Sequence, residues 1–411
     1  MEDKNLAKCL ANLSAEITAA ISSLQVVANA KNCLIYLVGG AVRDLLLGCP
    51  VHDVDVVVLG KAEALARAVA PSLGKLTLHP AFGTATIACS GFRLDLSTAR
   101  TESYAYPGAL PSVHPGNISD DLRRRDFTIN AMAISLNRDD YGQLIDNHNG
   151  QVDLKARLIR VMHAGSFADD PTRIWRAVRY EQRLGFNIEP RTLRWLKQDL
   201  TKLRNITGDR IWYELECTLR ENAPEKALTR LSKLGALGLI HPSLRAGSWL
   251  AERYGTARDE GSSSVFVYFA LLAYRLREEE IEILIESLHL NRALRDVLQN
   301  VPIVKAALPI LARPSLRPST VYRRLHGHNP EVLKAVFVAT TSRVARSNLE
   351  LYQTKLKKTS ISLSGDDLIQ LGLASGPRLG KILDQILWAK LDGHVKSRRA
   401  EISLAKTLIS R

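Results

Sequence analysis

The spacing of apolar positions changes once along the chain, near residue 165. Residues 1–30 place apolar side chains three and four apart, which predicts helix. Between about 33 and 160, short runs rich in β-branched residues predict the strands of a small mixed sheet; they are CLIYLVGG, VDVVVLG, KLTLHP, TATIACSG, FRLDLSTA, MAISL, QLIDN and ARLIRVM. One helical run, KAEALARAVAPSL, lies among them. The pattern predicts an N-terminal α/β domain.

The rest of the chain is predicted to be helical, with no further strand after Phe167. Amphipathic runs with cap or turn signals between them follow one another there; the first are PTRIWRAVRYEQRLGF, PRTLRWLKQDLTKL, RIWYELECTLREN and PEKALTRLSKLGALGL. The segment 100–120, rich in Pro, Gly and Ser, predicts a long loop within the first domain. The expected fold class is α+β, a head with a small mixed sheet followed by an all-helical arm.

Composition narrows the class of protein. The chain has 411 residues, enough for two to four domains at roughly 100–200 residues each. No apolar run approaches the roughly 20 residues that span a bilayer, and MEDKNLAKCL has no signal-peptide pattern, so we expect no membrane partner. The five cysteines are scattered and form no CxxC, which favours a reduced, cytoplasmic protein without a zinc site or disulfide framework.

The net charge points to a polyanionic partner. Lys and Arg total 56 against 42 acids, which gives a net charge of +14, and the isoelectric point is near 9.6. Nucleic acid is the commonest partner of so basic a chain. The alternative is a basic protein without such a partner. A membrane-surface protein is disfavoured because the chain has no lysine-rich amphipathic anchor.

Two aspartates on a predicted strand are the first candidate site. Asp53 and Asp55 lie at i and i+2, so their carboxylates share one face of the strand. Like charges this close are unfavourable unless a cation lies beside them, and Mg²⁺ prefers oxygen ligands together with substrate phosphates. The pair therefore suggests two-metal phosphoryl or nucleotidyl transfer. The alternative is a structural pair of acids at the surface.

A phosphate-binding element precedes the two aspartates. The pair Gly39-Gly40 ends a predicted strand and allows close approach of backbone to a ligand, while the next helix offers N–H groups to phosphate. Arg43 lies on the first turn of that helix and can hold phosphate oxygens as a fork. The alternatives are a tight strand-to-helix turn and an ion pair between Arg43 and Asp44.

A third carboxylate, Asp95, lies on a later predicted strand of the same sheet. It is a candidate base for an attacking hydroxyl or a further metal ligand. The alternative is a structural aspartate bonded to Arg93 or Arg100.

Arginines 123–125 and Asp126 form a basic cluster, which we expect to open an amphipathic helix. Arginines are poorly placed at the N-terminus of a helix dipole, so the cluster would need an external anion. Arg125 is a candidate for phosphate and Asp126 for hydroxyl groups of a ribose. The alternative is a basic capping region.

A second polar cluster opens the predicted helix after Phe167. Asp170 precedes Pro171 as a candidate cap, and Arg173, Arg176 and Arg179 recur on one helix face. An aspartate and an arginine held at one helix start can match the hydrogen-bonding edge of a nucleobase. The pattern alone favours the alternative, an ion pair between residues 170 and 173 beside a solvated basic stripe.

In combination these motifs resemble the class II tRNA nucleotidyltransferases and bacterial poly(A) polymerases. The motifs are LVGGAVRDLLLG…HDVDVVV, RRDFTINAMA and DDPTRIWRAVRYEQRLGF; they occur in the family's order within about residues 33–220. The resemblance implies a polymerase-β-like nucleotidyltransferase head at 1–160, a helical neck for base recognition at 161–225, a helical body at 226–310 and a tRNA-binding helical tail at 311–411.

The resemblance also implies an activity. Family members add CCA, or part of it, to the 3′ end of tRNA from CTP and/or ATP, without a nucleic-acid template and with release of pyrophosphate. Two Mg²⁺ ions are the implied cofactors, and the acceptor stem and 3′ end of tRNA are the implied partner. No obligate protein partner is inferred.

Carried over by position, the motifs assign roles to individual residues. Asp53 and Asp55 would be metal ligands and, with Asp95, the catalytic carboxylates. Nucleotide binding would fall to Gly39, Gly40, Arg43, Arg125, Asp126, Asp170, Arg173, Arg176 and Arg179. Within this set, Asp170 and Arg173 would select the base, and Arg210 and Glu214 of TGDRIWYEL would brace the neck.

Two departures from the family's motifs leave the added nucleotides undetermined. The base-reading motif begins with Asp169 where the family has Glu, which preserves the charge. The stretch ESYAYPGALPSVHP has only His114 as a basic residue and lacks the Asp/Arg pair that CCA-adding members usually carry there. Addition of CCA, CC or A alone, and poly(A) synthesis, all stay open.

Two further classes of protein are alternatives. A catalytically silent RNA-binding protein would be expected to lose the carboxylate pair. A metal-dependent phosphohydrolase would need a His/Asp cluster, and His52-Asp53 is the one HD dipeptide.

The basic arm generates a first prediction. Its patches KALTRLSKLG, RPSLRPSTVYRRLHGH, TKLKKTS and HVKSRRAEISLAK suit phosphate contacts rather than base contacts. Because such contacts release counterions, tRNA affinity should fall steeply and about linearly on a log–log plot as salt rises. Filter-binding titrations between low and physiological salt measure this slope. An affinity independent of salt would contradict the prediction.

Overall fold

The computed structural model describes residues 6–80, 83–106, 108–109 and 111–410. Contacts divide the chain into two compact units, Met1–Glu214 and Leu215–Arg411. The strands, in chain order, are β1 (Leu34–Val38), β2 (Asp53–Leu59), β3 (Gly74–His79), β4 (Thr84–Cys89), β5 (Arg93–Thr98), β6 (Arg100–Ser103), β7 (Ser112–Pro115), β8 (Ala133–Ser135), β9 (Leu144–Ile145), β10 (Leu158–Ile159) and β11 (Asn187–Ile188). All lie in the first unit, and the predicted α+β class is confirmed.

The first unit is built around a seven-stranded mixed sheet with the order β3-β4-β5-β2-β1-β8-β9. Strand β2 lies at its centre, antiparallel to β1 and parallel to β5. Val54, Val56 and Val58 are fully buried along β2, as expected of a central strand rich in β-branched residues. The aspartates at the start of β2 are therefore held on the central strand of the sheet.

Helices flank the sheet and complete the first unit. They are α1 (Ala7–Leu10), α2 (Ala15–Ala30), α3 (Gly40–Leu47), α4 (Ala62–Leu73), α5 (Ile118–Arg123), α6 (Gly150–Ala156), α7 (Ser166–Asp169), α8 (Arg173–Leu184), α9 (Pro190–Asp199) and α10 (Gly208–Leu219), which ends in the second unit. The helix predicted over residues 1–30 is two helices, because Ser14 caps α2 through a bond from the Ile17 N–H. Residues 1–5 lie outside the described part.

The long loop predicted at 100–120 is wrong in part. Strands β6 and β7 form an antiparallel hairpin, and helix α5 begins at Ile118 after an Asn117 capping box. Neither strand buries an apolar face, so the alternation that identifies strands in a sequence is absent. Pro107 and Leu110, within the connection, lie outside the described residues.

The expectation of no strand after Phe167 is also wrong, in one short element. Strand β11, only two residues long, pairs in parallel with β10. Two residues are too few to produce a periodic pattern, so only the partner strand reveals this element.

The second unit, as described, is helical. Its helices are α11 (Pro224–Leu234), α12 (Ala236–Ile240), α13 (Ser248–Asp259), α14 (Val265–Ala273), α15 (Glu278–Ser287), α16 (Arg292–Leu311), α17 (Pro318–Leu325), α18 (Pro330–Ala339), α19 (Arg343–Thr354), α20 (Gly365–Gln370), α21 (Pro377–Leu391) and α22 (Arg398–Ile409). Side-chain caps such as Ser264 and Asn291 begin several of them. In the described part of the chain, no helix is both long and apolar enough to cross a membrane. The division into head, neck, body and tail stays a prediction.

Candidate active site

The three candidate carboxylates lie on two neighbouring strands. The parallel register of β2 and β5 pairs Asp55 with Asp95 and Asp53 with Arg93. Arg93 Nε lies 2.7 Å from Asp95 Oδ2, and the Thr86 hydroxyl donates to the other oxygen of Asp95. The structural bond from Arg93, considered above as the alternative for Asp95, is thus present. The role of Asp95 as a base stays a prediction.

Asp55 is a largely buried carboxylate with two other carboxylates close to it. The pKa of Asp55 is raised to about 6: burial is the main cause, Arg125 acts against it, and the charges of Asp95 and Asp53 add to the rise. Among the described residues, no group of three or more ligand side chains surrounds a single point. A pair of carboxylates is nevertheless a donor set that suits Mg²⁺, which takes its other ligands from phosphate and water.

Gly39 is required for the close approach of an arginine to these acids. Its φ is +71°, and a Cβ placed there would lie 2.6 Å from Arg125 Nη1 and 3.5 Å from Asp55 Oδ2. Only glycine combines this backbone conformation with room for the guanidinium. The turn predicted to admit a ligand therefore also admits the counter-charge of Asp55.

Arg43 is buried and its donors face protein acceptors. Its Nε and Nη2 form a fork with Asp44 at 2.8 and 2.9 Å, and its Nη1 donates to Asn130 at 2.8 Å. The ion pair with Asp44, considered above as an alternative, is present. The predicted contact of Arg43 with triphosphate stays a prediction.

The basic cluster does not open a helix. Helix α5 begins at Ile118, after the Asn117 capping box, and ends at Arg123, so the arginines lie at its C-terminal end. Arg124 and Arg125 therefore follow a helix C-terminus, where positive charge is favourable, and the predicted unfavourable position at a helix N-terminus is wrong. Both pair with the buried Asp121, at 2.6 and 3.0 Å. Burial acts to raise the pKa of Asp121, but Arg125 and Arg124 keep it below its ordinary value.

Asp126 is the acceptor that holds Arg176. Arg176 donates to its Oδ2 through Nε and Nη2, at 2.8 and 2.6 Å. Asn130 and the Phe127 N–H donate to Oδ1. Burial would raise the pKa of Asp126, yet Arg176 and Asn130 hold it below its usual range. Contact with a ribose hydroxyl stays a prediction.

Asp170 and Arg173 do not pair with each other. The Thr172 N–H and hydroxyl, together with Arg210 Nη2 at 2.8 Å, donate to Asp170 Oδ1. Arg173 donates to the carbonyls of Ser166 and Arg124. The helix begins at Arg173 rather than at Pro171. Both predicted base-reading side chains are thus held by other partners.

Two cavities of the first unit contain most of the predicted residues. The larger, about 510 Å³, is lined by Asp170, Arg173, Arg210 and Tyr213 among others. The smaller, about 280 Å³, is lined by Gly39, Gly40, Arg43, Asp53 and Asp55 among others. Arg125, Asp126 and Arg176 line both cavities. The two therefore share a wall, with carboxylates at one end and Asp170 at the other.

Two predicted residues stand apart from this arrangement. As described, neither Asp95 nor Arg179 lines either cavity. Arg179 is buried and pairs with Glu214, which places it behind the cavity wall.

Sequence reasoning missed several residues that hold the site together. Asp121 had a local signal, since it lies three and four residues before the arginines that it binds. Asn130 and Glu102 gave no such signal, because they meet Arg43 and Arg124 only through the fold. Tyr180 is surrounded by the guanidinium groups of Arg43, Arg176 and Arg183; they lie 5.2, 5.8 and 5.6 Å from its ring. This concentrates positive charge beside the smaller cavity.

Comparison with known proteins places this chain in a family. Residues 35–160 match the poly A polymerase head domain, and residues 185–247 match a probable RNA- and SrmB-binding site of polymerase A. The A-adding tRNA nucleotidyltransferase of Halalkalibacterium halodurans is 32% identical over 90% of this chain and 88% of its own length. The chain belongs to the tRNA nucleotidyltransferase family.

Other members of the tRNA nucleotidyltransferase family are similar to this chain over most of its length. The A-adding enzyme of Geobacter sulfurreducens is 37% identical over 91% of this chain, and the chain spans about half its length, 45%. The solved CCA-adding enzyme of Thermotoga maritima, in complex with tRNA, matches with a TM-score of 0.75 at 31% identity, over 98% of this chain and 99% of that one. The family resemblance and the fold it implied are both confirmed.

The close approach at Gly39 generates a second prediction. Gly39→Ala should lower nucleotidyl transfer by about tenfold or more, because the new methyl group displaces Arg125 from Asp55. Gly48→Ala is the matched control; Gly48 lies at the other end of α3 with φ +70°, and nothing lies within 4 Å of its Cβ position. Gly48→Ala should lose about 1–2 kcal/mol of stability from its left-handed backbone, and Gly39→Ala should lose more, because its ψ of −133° lies outside the left-handed helical region. Equal activities in the two variants would contradict the role of Arg125.

Proposed function

We propose that the chain catalyses template-independent addition of nucleotides to the 3′ end of tRNA, with release of pyrophosphate. The shared wall of the two cavities supports this most directly. A nucleoside triphosphate lying along Arg125, Asp126 and Arg176 would place its phosphates beside Asp53 and Asp55 and its base beside Asp170. Family membership supports the same reaction. A cytoplasmic location stays a prediction.

The free oxygen of Asp170 gives a physical basis for choosing a base. Oδ1 accepts three hydrogen bonds, and among the described residues no donor contacts Oδ2. Oδ2 is an acceptor and so favours the exocyclic amino groups of cytosine and adenine. Uracil and guanine present a carbonyl oxygen at that position, which would place two acceptors against each other. Arg173 lines the same cavity, and its N–H groups beyond the bonds to Ser166 and Arg124 would suit the neighbouring ring nitrogen of cytosine or adenine. This supports CTP and ATP as substrates.

We assign two Mg²⁺ ions to Asp53 and Asp55. When bound, they would neutralise the phosphates and activate the attacking 3′ hydroxyl. Other residues of the chain would position the substrate and balance its charge. Arg125 holds positive charge beside Asp55, and Asp126 fixes the fork of Arg176 on the wall shared by the two cavities. These groups are positioned before substrate arrives, which favours transfer over hydrolysis or misalignment.

Among the possible reactions, we favour addition of the terminal adenosine alone. Two relatives that match about nine-tenths of this chain are named A-adding enzymes. The segment 102–115 also lacks the Asp/Arg pair expected of enzymes that add all three nucleotides. CC addition, full CCA addition and poly(A) synthesis are the alternatives that the product assay distinguishes.

Removal of one carboxylate tests the catalytic assignment. Asp53→Asn or Asp55→Asn should reduce incorporation of labelled ATP into tRNA by about 10³-fold or more, because the metal clamp is lost. Asp139→Asn, which changes an exposed aspartate outside both cavities, is the matched control. A normal rate in either active-site variant would refute the metal assignment. A wild-type protein that binds tRNA but transfers nothing would indicate the catalytically silent alternative.

Product sizing tests the specificity. Three tRNAs, ending at the discriminator base, at C or at CC, are each incubated with CTP, ATP or both. An A-adding enzyme should extend only the CC-ending tRNA, with ATP, by one nucleotide. Extension of the other substrates by CTP would contradict A addition, and a long ladder with ATP alone would indicate poly(A) synthesis.

A further inference from the structure

The larger cavity has charged walls and one exposed aromatic ring. Tyr213 lines it and is 60% exposed, while most of its described neighbours there are Arg, Asp or Glu. The other described aromatic residue of the wall, Tyr104, donates its hydroxyl to Glu102 at 2.9 Å. Tyr104 is only partly exposed, so Tyr213 is the more exposed of the two described aromatic rings in the wall.

Helix α10 directs Tyr213 to the same side as the base-reading pair. Tyr213 lies three residues after Arg210, so the two side chains share a helix face. Arg210 binds Asp170 Oδ1 at 2.8 Å. The ring is thus placed one helical turn from the residue that holds Asp170.

The two kinds of side chain can contact a nucleobase in complementary ways. Asp170 and Arg173 offer hydrogen bonds to the edge of a base, and an aromatic ring offers its face. A large exposed ring gains most when a flat apolar surface covers it, and every base has such a face. The cavity, about 510 Å³, has room for a nucleotide.

We propose that Tyr213 is a stacking platform for a nucleobase bound in this cavity. The inference rests on the proposed function and deepens it. The base is either that of the incoming nucleotide or the 3′-terminal base of the RNA. Stacking holds the base in the plane that Asp170 and Arg173 read. Because stacking does not discriminate by hydrogen bonding, Tyr213 contributes affinity and leaves the choice between bases to Asp170 and Arg173.

Three variants test the proposal in the full-length protein. Tyr213→Leu removes the ring, Tyr213→Phe keeps it without the hydroxyl, and Tyr141→Leu changes a tyrosine that is 40% exposed and lies outside both cavities. We expect Tyr213→Leu to raise KM for ATP or for tRNA by about tenfold, the size of one base–aromatic stack. Its kcat and unfolding midpoint should stay near wild type. Tyr213→Phe keeps the ring and should reverse most of the rise in KM caused by Tyr213→Leu, and Tyr141→Leu should match wild type in all constants.

Binding without RNA distinguishes the two sources of the base. A non-hydrolysable ATP analogue is titrated into wild type and Tyr213→Leu by calorimetry. A weakening of about tenfold assigns the ring to the incoming nucleotide. Unchanged analogue binding together with a raised KM for tRNA assigns it to the terminal base of the RNA.

Other outcomes overturn the proposal. Wild-type KM values in Tyr213→Leu would show that the ring does not stack on substrate. A loss in Tyr213→Phe equal to that in Tyr213→Leu would assign the effect to the hydroxyl. An equal loss in Tyr141→Leu, or a lowered unfolding midpoint, would indicate a general effect on the fold. None of these results removes the catalytic carboxylates, so they would leave the proposed function intact.

Discussion

The site depends on the crowding of like charges at the start of β2. Asp53, Asp55 and Asp95 are fixed by the register of two adjacent strands, and burial raises the pKa of Asp55 to about 6. Arg125 is the counter-charge that the protein itself provides, and it lies close to Asp55 only because Gly39 has no side chain. The remaining imbalance is what a divalent cation and a triphosphate would satisfy. The order of the strands thus concentrates negative charge where we propose that the cations and the triphosphate bind.

Around this point, arginines are held by carboxylates rather than left in solvent. Asp121 holds Arg124 and Arg125, and Asp126 holds Arg176. A guanidinium group that donates two hydrogen bonds to one carboxylate keeps its positive charge but loses conformational freedom. Less entropy is therefore lost when an anion binds. This preorganisation explains why a basic site contains so many acids. It also explains why single motif residues, taken alone, resemble ordinary ion pairs.

Much of the fold could be predicted from periodicity. The buried β-branched runs and amphipathic helices were long enough to give a clear pattern, and the Asp53–Asp55 spacing alone placed two carboxylates on one face. The hairpin of β6 and β7 and the two-residue β11 could not be found, because neither buries a periodic apolar face. The helix expected at the arginine run was predicted to begin too late, because the Asn117 cap begins α5 at Ile118.

By itself, the sequence determined the fold class, the family and the residue types of the site, because local periodicity and motif spacing depend only on neighbours along the chain. The tertiary structure decided which charges meet. Asp170 binds Arg210 instead of Arg173, Arg43 meets Asn130, and Glu102 supports Arg124. These pairs join residues 22 to 87 positions apart. Partners that distant are chosen by packing of the whole sheet and its helices, which no local pattern encodes.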